Sequence, residues 1–153
     1  MSFTLPAVAS SRTSPEDHGG LLALVIEDDP DIAQVLEALL TTDDMQVWSA
    51  PSATEAVRLL GQRGPDLIVL DLSLPDADGS ELVGWMRGQP ELVNVPLAIY
   101  TVKDLTEADR EQLQLGPSLH ATKGVTEPDE FARLALGLVE ARKPASYARE
   151  PVA

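Results

Sequence analysis

Five short apolar runs, each closing on a polar residue, alternate along the chain with stretches whose apolar residues recur at helical spacing. Leu21 to Ile26 is continuously apolar and runs into Glu27-Asp28-Asp29-Pro30, which predicts a strand buried on both faces. Asp29 before Pro30 suits a helix cap with proline at the first helical position, and Ile32, Val35, Leu36, Leu39 and Leu40 follow at core-facing spacing. Met45 to Ser49 predicts a second strand; Ser52-Ala53-Thr54-Glu55 has capping-box spacing, with Ala56, Val57 and Leu60 inward on a second helix. Leu67 to Leu70, opened by Gly64-Pro65 and closed by a Pro-Asp/Asp-Gly loop, predicts a third strand that ends at Asp71.

Beyond it, Asp78-Gly79-Ser80-Glu81 caps a third helix with Leu82, Val83 and Met86 inward, and Pro96 to Thr101 is a fourth strand. Leu105 to Leu115 reads as a weak helix, capped at Thr106-Glu107-Ala108-Asp109 but poor in apolar positions. Ser118 to Thr122 is a short fifth strand ending at Lys123, and Thr126-Glu127-Pro128-Asp129 opens a last helix lined by Phe131, Leu134, Ala135, Leu138 and Val139. Trp48 suits edge packing and Trp85 a partly exposed place off the inner face of the third helix.

Strict alternation of apolar strands with helices predicts an α/β doubly wound parallel sheet, a flavodoxin-like (βα)5 unit of strand order 2-1-3-4-5. In that order the Glu27-Asp28-Asp29 turn and Asp71 lie side by side at the carboxyl edge, where open α/β sheets bind ligands. The expected organisation is a leader over residues 1–20, one domain over 21–142 and a polar tail over 143–153. With 153 residues and 44% hydrophobic content there is room for one core.

Composition narrows the chemistry. Cysteine is absent, which removes disulfides, thiolate nucleophiles and cysteine-ligated zinc and is compatible with a reducing setting; the expected location is cytoplasmic. Asp and Glu number 25 against 11 Lys and Arg, a formal charge of -14, which repels nucleic-acid phosphates and favours cations and basic protein surfaces. No apolar run approaches a membrane span, so no membrane insertion is expected.

Carboxylates gathered at one sheet edge repel each other unless a cation neutralises them. His18 falls in the leader and His120 before the end of the fifth strand, so oxygen ligands dominate, selecting Mg²⁺, Mn²⁺ or Ca²⁺ over Zn²⁺. Thr101 and Lys123 bring a hydroxyl and an ammonium to the same edge. A carboxylate nucleophile, metal, hydroxyl and ammonium together describe a phosphoryl-accepting site.

Four stretches, Val25-Ile26-Glu27-Asp28-Asp29-Pro30-Asp31-Ile32, Asp71-Leu72-Ser73-Leu74-Pro75-Asp76-Ala77-Asp78-Gly79, Ile99-Tyr100-Thr101, and Lys123, occur in this order, and over about Leu21 to Arg142 the sequence resembles a response-regulator receiver domain of two-component signalling. The resemblance implies Asp71 as phosphoacceptor and Mg²⁺, with Mn²⁺ as a substitute, held by Glu27, Asp28, Asp71 and the backbone carbonyl of Ser73. It implies that Thr101 moves to bond a phosphoryl oxygen and that Lys123 pairs first with Asp71 and then with the phosphoryl group. Asp29 serves better as helix cap than as principal ligand. The domain would catalyse only its own phosphorylation and dephosphorylation, and so is not an enzyme in the ordinary sense. Ser73 and Lys103 occupy positions that influence the acyl-phosphate lifetime in the family.

The departures from the pattern are specific. His120 stands where the family often has an aromatic residue, so the aromatic partner of Thr101 is missing; His120 is a candidate pH-sensitive switch group, with a partly exposed strand histidine without that role as the favoured reading. Gly124 replaces a proline common after the lysine, predicting a more mobile loop, and Val102 replaces a smaller residue beside Asp71. The expected function is a stand-alone response regulator of a phosphorelay, with no output domain in the remaining length. A histidine kinase or histidine phosphotransfer protein would supply the phosphoryl group, and a downstream protein would dock on the helix 4, strand 5, helix 5 face; a homodimer is a further candidate. The Lys123-Gly124 pair and the Lys103-Asp104-Leu105-Thr106 loop resemble receivers attached to hybrid kinases. The alternative is a phosphorylation-independent pseudo-receiver. An aspartyl-phosphate phosphatase would need a second acid where Ser73 stands.

Overall fold

The computed structural model describes residues 20–152, so the expected leader lies outside the described residues apart from Gly20. Five strands, β1 (Leu21–Ile26), β2 (Met45–Ala50), β3 (Leu67–Leu70), β4 (Leu97–Thr101) and β5 (Ser118–Thr122), alternate with α1 (Pro30–Leu40), α2 (Ala53–Leu60), α3 (Gly79–Arg87), α4 (Glu107–Gln112) and α5 (Pro128–Val152). The strands form one parallel sheet in the order β2-β1-β3-β4-β5, the expected doubly wound order. Strand bounds fall within one residue of those read from the apolar runs.

Alternation along each strand divides the core in two. Leu24, Ile26, Ile68, Leu70, Leu97 and Ile99 pack on one face with Ala56 and Leu60 of α2 and Leu82, Val83 and Met86 of α3. Ala23, Val25, Leu67, Val69, Ala98 and Tyr100 pack on the other with Leu36 and Leu40 of α1 and Phe131, Ala132, Ala135 and Val139 of α5. Each helix touches only one sheet face, so its buried stripe is narrower than its apolar spacing suggests. Val35, Leu39 and Val57, expected inward, are accordingly exposed, as is Leu134, while Ala33 and Ala132 take core places instead.

Local chemistry sets the helix starts. Asp29 accepts from the Asp31 amide and caps α1, Asp78 accepts from Ser80 and caps α3, and Thr106 and Asp109 form a reciprocal capping box on α4. The box expected at α2 is only half formed: Ser52 accepts from the Glu55 amide, whereas the Glu55 carboxylate pairs with Arg58. Helix α4 is shorter than the expected Leu105 to Leu115 and buries none of its own residues. Helix α5 does not give way to a tail after Lys143-Pro144; its backbone stays helical to Val152, through a run with the good helix formers Ala145, Ala148, Arg149 and Glu150. No helix among the described residues is long and apolar enough to cross a membrane.

Candidate functional site

The register of the central strands brings the acids together. Ile26 is opposite Leu70, and the pairing runs one step further, with the Asp71 amide donating to the Ile26 carbonyl at 2.9 Å and the Glu27 amide to the Ala50 carbonyl at 3.0 Å. Glu27 and Asp71 therefore leave the sheet from neighbouring strand ends, both buried, with exposed Asp28 beside them. One carboxylate oxygen from each of Glu27, Asp28 and Asp71 lies within 4.8 Å of the others. Three hard oxygen donors at that spacing fit a divalent Mg²⁺ or Mn²⁺ ion. Asp29 is turned to other work, capping α1 while its amide donates to Glu27 Oε2 at 3.2 Å.

Lys123 reaches this cluster from the end of β5. Its Nζ donates to Asp71 Oδ2 at 3.3 Å, the expected partner, and also to Glu27 Oε1 at a shorter 2.8 Å. Burial pushes the Glu27 carboxyl up to about 7, aided by the neighbouring Asp71 charge and opposed by Lys123. Burial alone would lower the Lys123 ammonium, but its hydrogen bond to Glu27 and the charges of Glu27 and Asp71 outweigh that and hold it above its usual value. One ammonium thus faces an excess of negative charge, the electrostatic condition that favours a further cation.

The Lys123 loop is anchored from below. The Lys123 amide donates to the Thr101 carbonyl at 2.8 Å, and Gly124 takes φ +88°, a conformation open to glycine at little cost. Tyr100 donates its hydroxyl to the Thr126 carbonyl at 2.6 Å and stacks on Phe131 at 4.3 Å between centroids. Lys123 Nζ stands 6.0 Å from the centre of the Tyr100 ring, the outer limit of a cation–π contact. The sequence places Tyr100 in the Ile99-Tyr100-Thr101 stretch without assigning it a contact; the signal for one is a strand tyrosine whose hydroxyl needs a partner when buried.

Thr101 is fully buried at the end of β4, its hydroxyl accepting from the Lys103 amide at 3.4 Å. Ser73 follows Asp71 closely, its amide donating to Asp71 Oδ1 at 3.3 Å. His120, paired with Ile99 across β4 and β5, has a buried Nε2 without a hydrogen-bond partner among the described residues. Burial lowers its pKa, as does Arg110, against a raising contact with the Leu113 carbonyl. Val102 is 67% exposed.

Two further residues shape the Asp71 loop. A Cβ on Gly79 would lie 2.7 Å from Leu72 Cδ2 and 2.8 Å from Leu72 Cα, so the return of the loop against its own start requires glycine. The Asp76 carboxylate accepts from the Ala53 and Thr54 amides and the Thr54 hydroxyl of α2, bonds that hold its pKa down to about 2, the Thr54 hydroxyl foremost. Neither role has a periodic sequence signal.

Comparison with known proteins gives a consistent picture. The family model described as response regulator receiver domain matches residues 23–135. An uncharacterized 14.6 kDa protein of Leptolyngbya boryana is 36% identical over 72% of this chain and 84% of its own length. The transcriptional regulatory protein KdpE of Mycobacterium tuberculosis is 31% identical over 74% of this chain, which spans only 49% of KdpE. The receiver domain of the Francisella response regulator 1452 superposes with a TM-score of 0.68 at 28% identity, covering 80% of this chain and 99% of that one.

Proposed function

The chain belongs to the response regulator receiver domain family, and from that membership we propose that it is a phosphorylatable switch with Asp71 as phosphoacceptor. The observation that carries this reading is the meeting of Glu27, Asp28 and Asp71 within 4.8 Å, with Lys123 bonded to two of them. An Asp71 carboxylate oxygen attacks the phosphorus of a phosphohistidine on a histidine kinase or phosphotransfer protein. The new O–P bond forms as the P–N bond breaks, and the imidazole leaves with the electron pair and takes a proton from water.

Lys123 holds positive charge where the phosphoryl oxygens gather, and Ser73 holds Asp71 Oδ1 in place through its amide. A divalent Mg²⁺, or Mn²⁺, held by Glu27, Asp28, Asp71 and the Ser73 carbonyl, supplies charge neutralisation when bound. The phosphoryl group adds about -1.5 to -2 charge and three acceptor oxygens. The Thr101 hydroxyl then turns to it in a new charge-assisted hydrogen bond, drawing on the loop before α4 and biasing the α4, β5, α5 face toward a partner-binding arrangement.

Intact mass after incubation with acetyl phosphate and Mg²⁺ tests the reading. A phosphoryl adduct that disappears in Asp71→Asn and with EDTA is expected. No adduct at short times, together with no response to beryllofluoride, would sink it in favour of a binding module that works without phosphorylation.

A further inference from the structure

Asp76 sits in the β3–α3 loop and reaches a different unit of the fold. Its Oδ1 accepts from the Ala53 amide at 2.9 Å, and its Oδ2 from the Thr54 amide at 2.9 Å and the Thr54 hydroxyl at 2.6 Å. Those are the first two helical amides of α2; the next, Glu55, is served by Ser52 Oγ at 3.2 Å. Two side chains thus share one helix start. Ser52 acts locally, whereas Asp76 acts from 22 and 23 residues away, so its cap is also a tether.

The tethered loop is the one that leaves Asp71. Within it, the Ser73 amide bonds Asp71 Oδ1 at 3.3 Å, Ser73 bridges to Asp78, and the Gly79 amide bonds the Leu72 carbonyl at 3.1 Å. Those contacts join the loop to itself. The Asp76 contacts join it to α2, and a carboxylate suits the task, because two acceptor oxygens meet three donors at the positive end of a helix. An amide in its place would turn an N–H₂ group toward an N–H donor.

We propose that Asp76 is a positioning residue of the phosphoacceptor site, which holds the β3–α3 loop against α2 and thereby fixes the Ser73 backbone beside Asp71. The proposal deepens the phosphoacceptor reading and rests on it for its effect on metal. Losing the tether frees the loop that orients Asp71 and carries the Ser73 carbonyl, and groups that orient metal ligands typically matter about tenfold or more in affinity.

The test compares Asp76→Ala with Ser52→Ala, which removes the other half of the same cap without touching the loop. Hydrogen exchange on the metal-free proteins is expected to rise about tenfold at Ser73 and Gly79 in Asp76→Ala only, while both variants loosen the start of α2. Mn²⁺ titration is expected to show an about tenfold weaker Kd in Asp76→Ala and an unchanged one in Ser52→Ala. Thr54→Ser, which keeps all three donors, should behave as wild type in both measurements. Equal loop exchange in the two alanine variants overturns the proposal, as does an unchanged Mn²⁺ affinity in Asp76→Ala. A wild-type protein that neither binds Mn²⁺ nor gains a phosphoryl group overturns the phosphoacceptor reading instead, and the exchange comparison then decides the tether by itself.

Discussion

The two loops that flank the acidic cluster are built in opposite ways. The loop after β3 is tied at its tip to α2 by Asp76, folded onto Leu72 at Gly79 and capped into α3 by Asp78. The loop after β4 leaves Val102 67% exposed and leads to α4, a helix that buries none of its own residues. Rigidity therefore sits on the side of the nucleophile, which must meet its donor in one geometry. Looseness sits on the side that would have to rearrange, since moving elements are drawn from the least stable parts of a fold.

Gly79→Ala attacks the tied side most directly. The added Cβ meets the Leu72 backbone at 2.8 Å, so the loop must shift, at an expected cost of about 2 to 3 kcal/mol in urea unfolding. A change below about 0.5 kcal/mol, the usual range for neutral surface sites, would show that the loop is not held as tightly as its geometry indicates.

A smaller effect is expected where the loose side is fastened. Arg87 at the end of α3 donates to the Glu111 and Gln114 carbonyls, both at 2.8 Å, clasping the C-terminal end of α4. Arg87→Ala should cost about 1 kcal/mol and raise exchange in α4 without changing that of the Asp71 loop. Parallel loosening on both sides would erase the contrast between them.

The smallest expected effect is a pH dependence at His120. Its folded pKa lies below the ordinary imidazole value of 6.5, through burial and Arg110 against the Leu113 carbonyl. The unfolded imidazole takes up a proton more readily, so this group's contribution to stability is intact above pH 6.5 and declines as the pH falls below it. Thermal melts from pH 7.5 down to 5.5 should lose part of that decline in His120→Phe, which also removes the buried Nε2; an identical slope in both proteins would mean that His120 takes no part.

What was legible in the sequence follows from what each signal encodes. Continuous apolar runs mark strands buried on both faces, so β1 and β3 were placed to the residue, and with them Asp71 at its strand end. Val35, Leu39 and Val57 misled because helical spacing records which residues can share a face, not how wide a stripe the sheet covers. The acids could be gathered from strand order alone. The bond from Lys123 to Glu27 spans 96 residues, and which of two neighbouring carboxylates it favours is a matter of side-chain reach. Asp76 reads locally as a turn aspartate, and nothing within its own segment announces a partner in α2.

Thr101 and Tyr100 are consecutive, and in a strand consecutive side chains face opposite layers. Tyr100 is packed with Phe131 and bonded to Thr126 on the α1 and α5 side, while Thr101 follows Ile99 onto the face that packs against α2 and α3. The tip of β4 is thus a rocker mounted between two gearboxes. On the proposed switch, a turn of the Thr101 hydroxyl toward Asp71 would twist the same strand end that carries the Tyr100–Phe131 stack, so both faces of the sheet share one pivot.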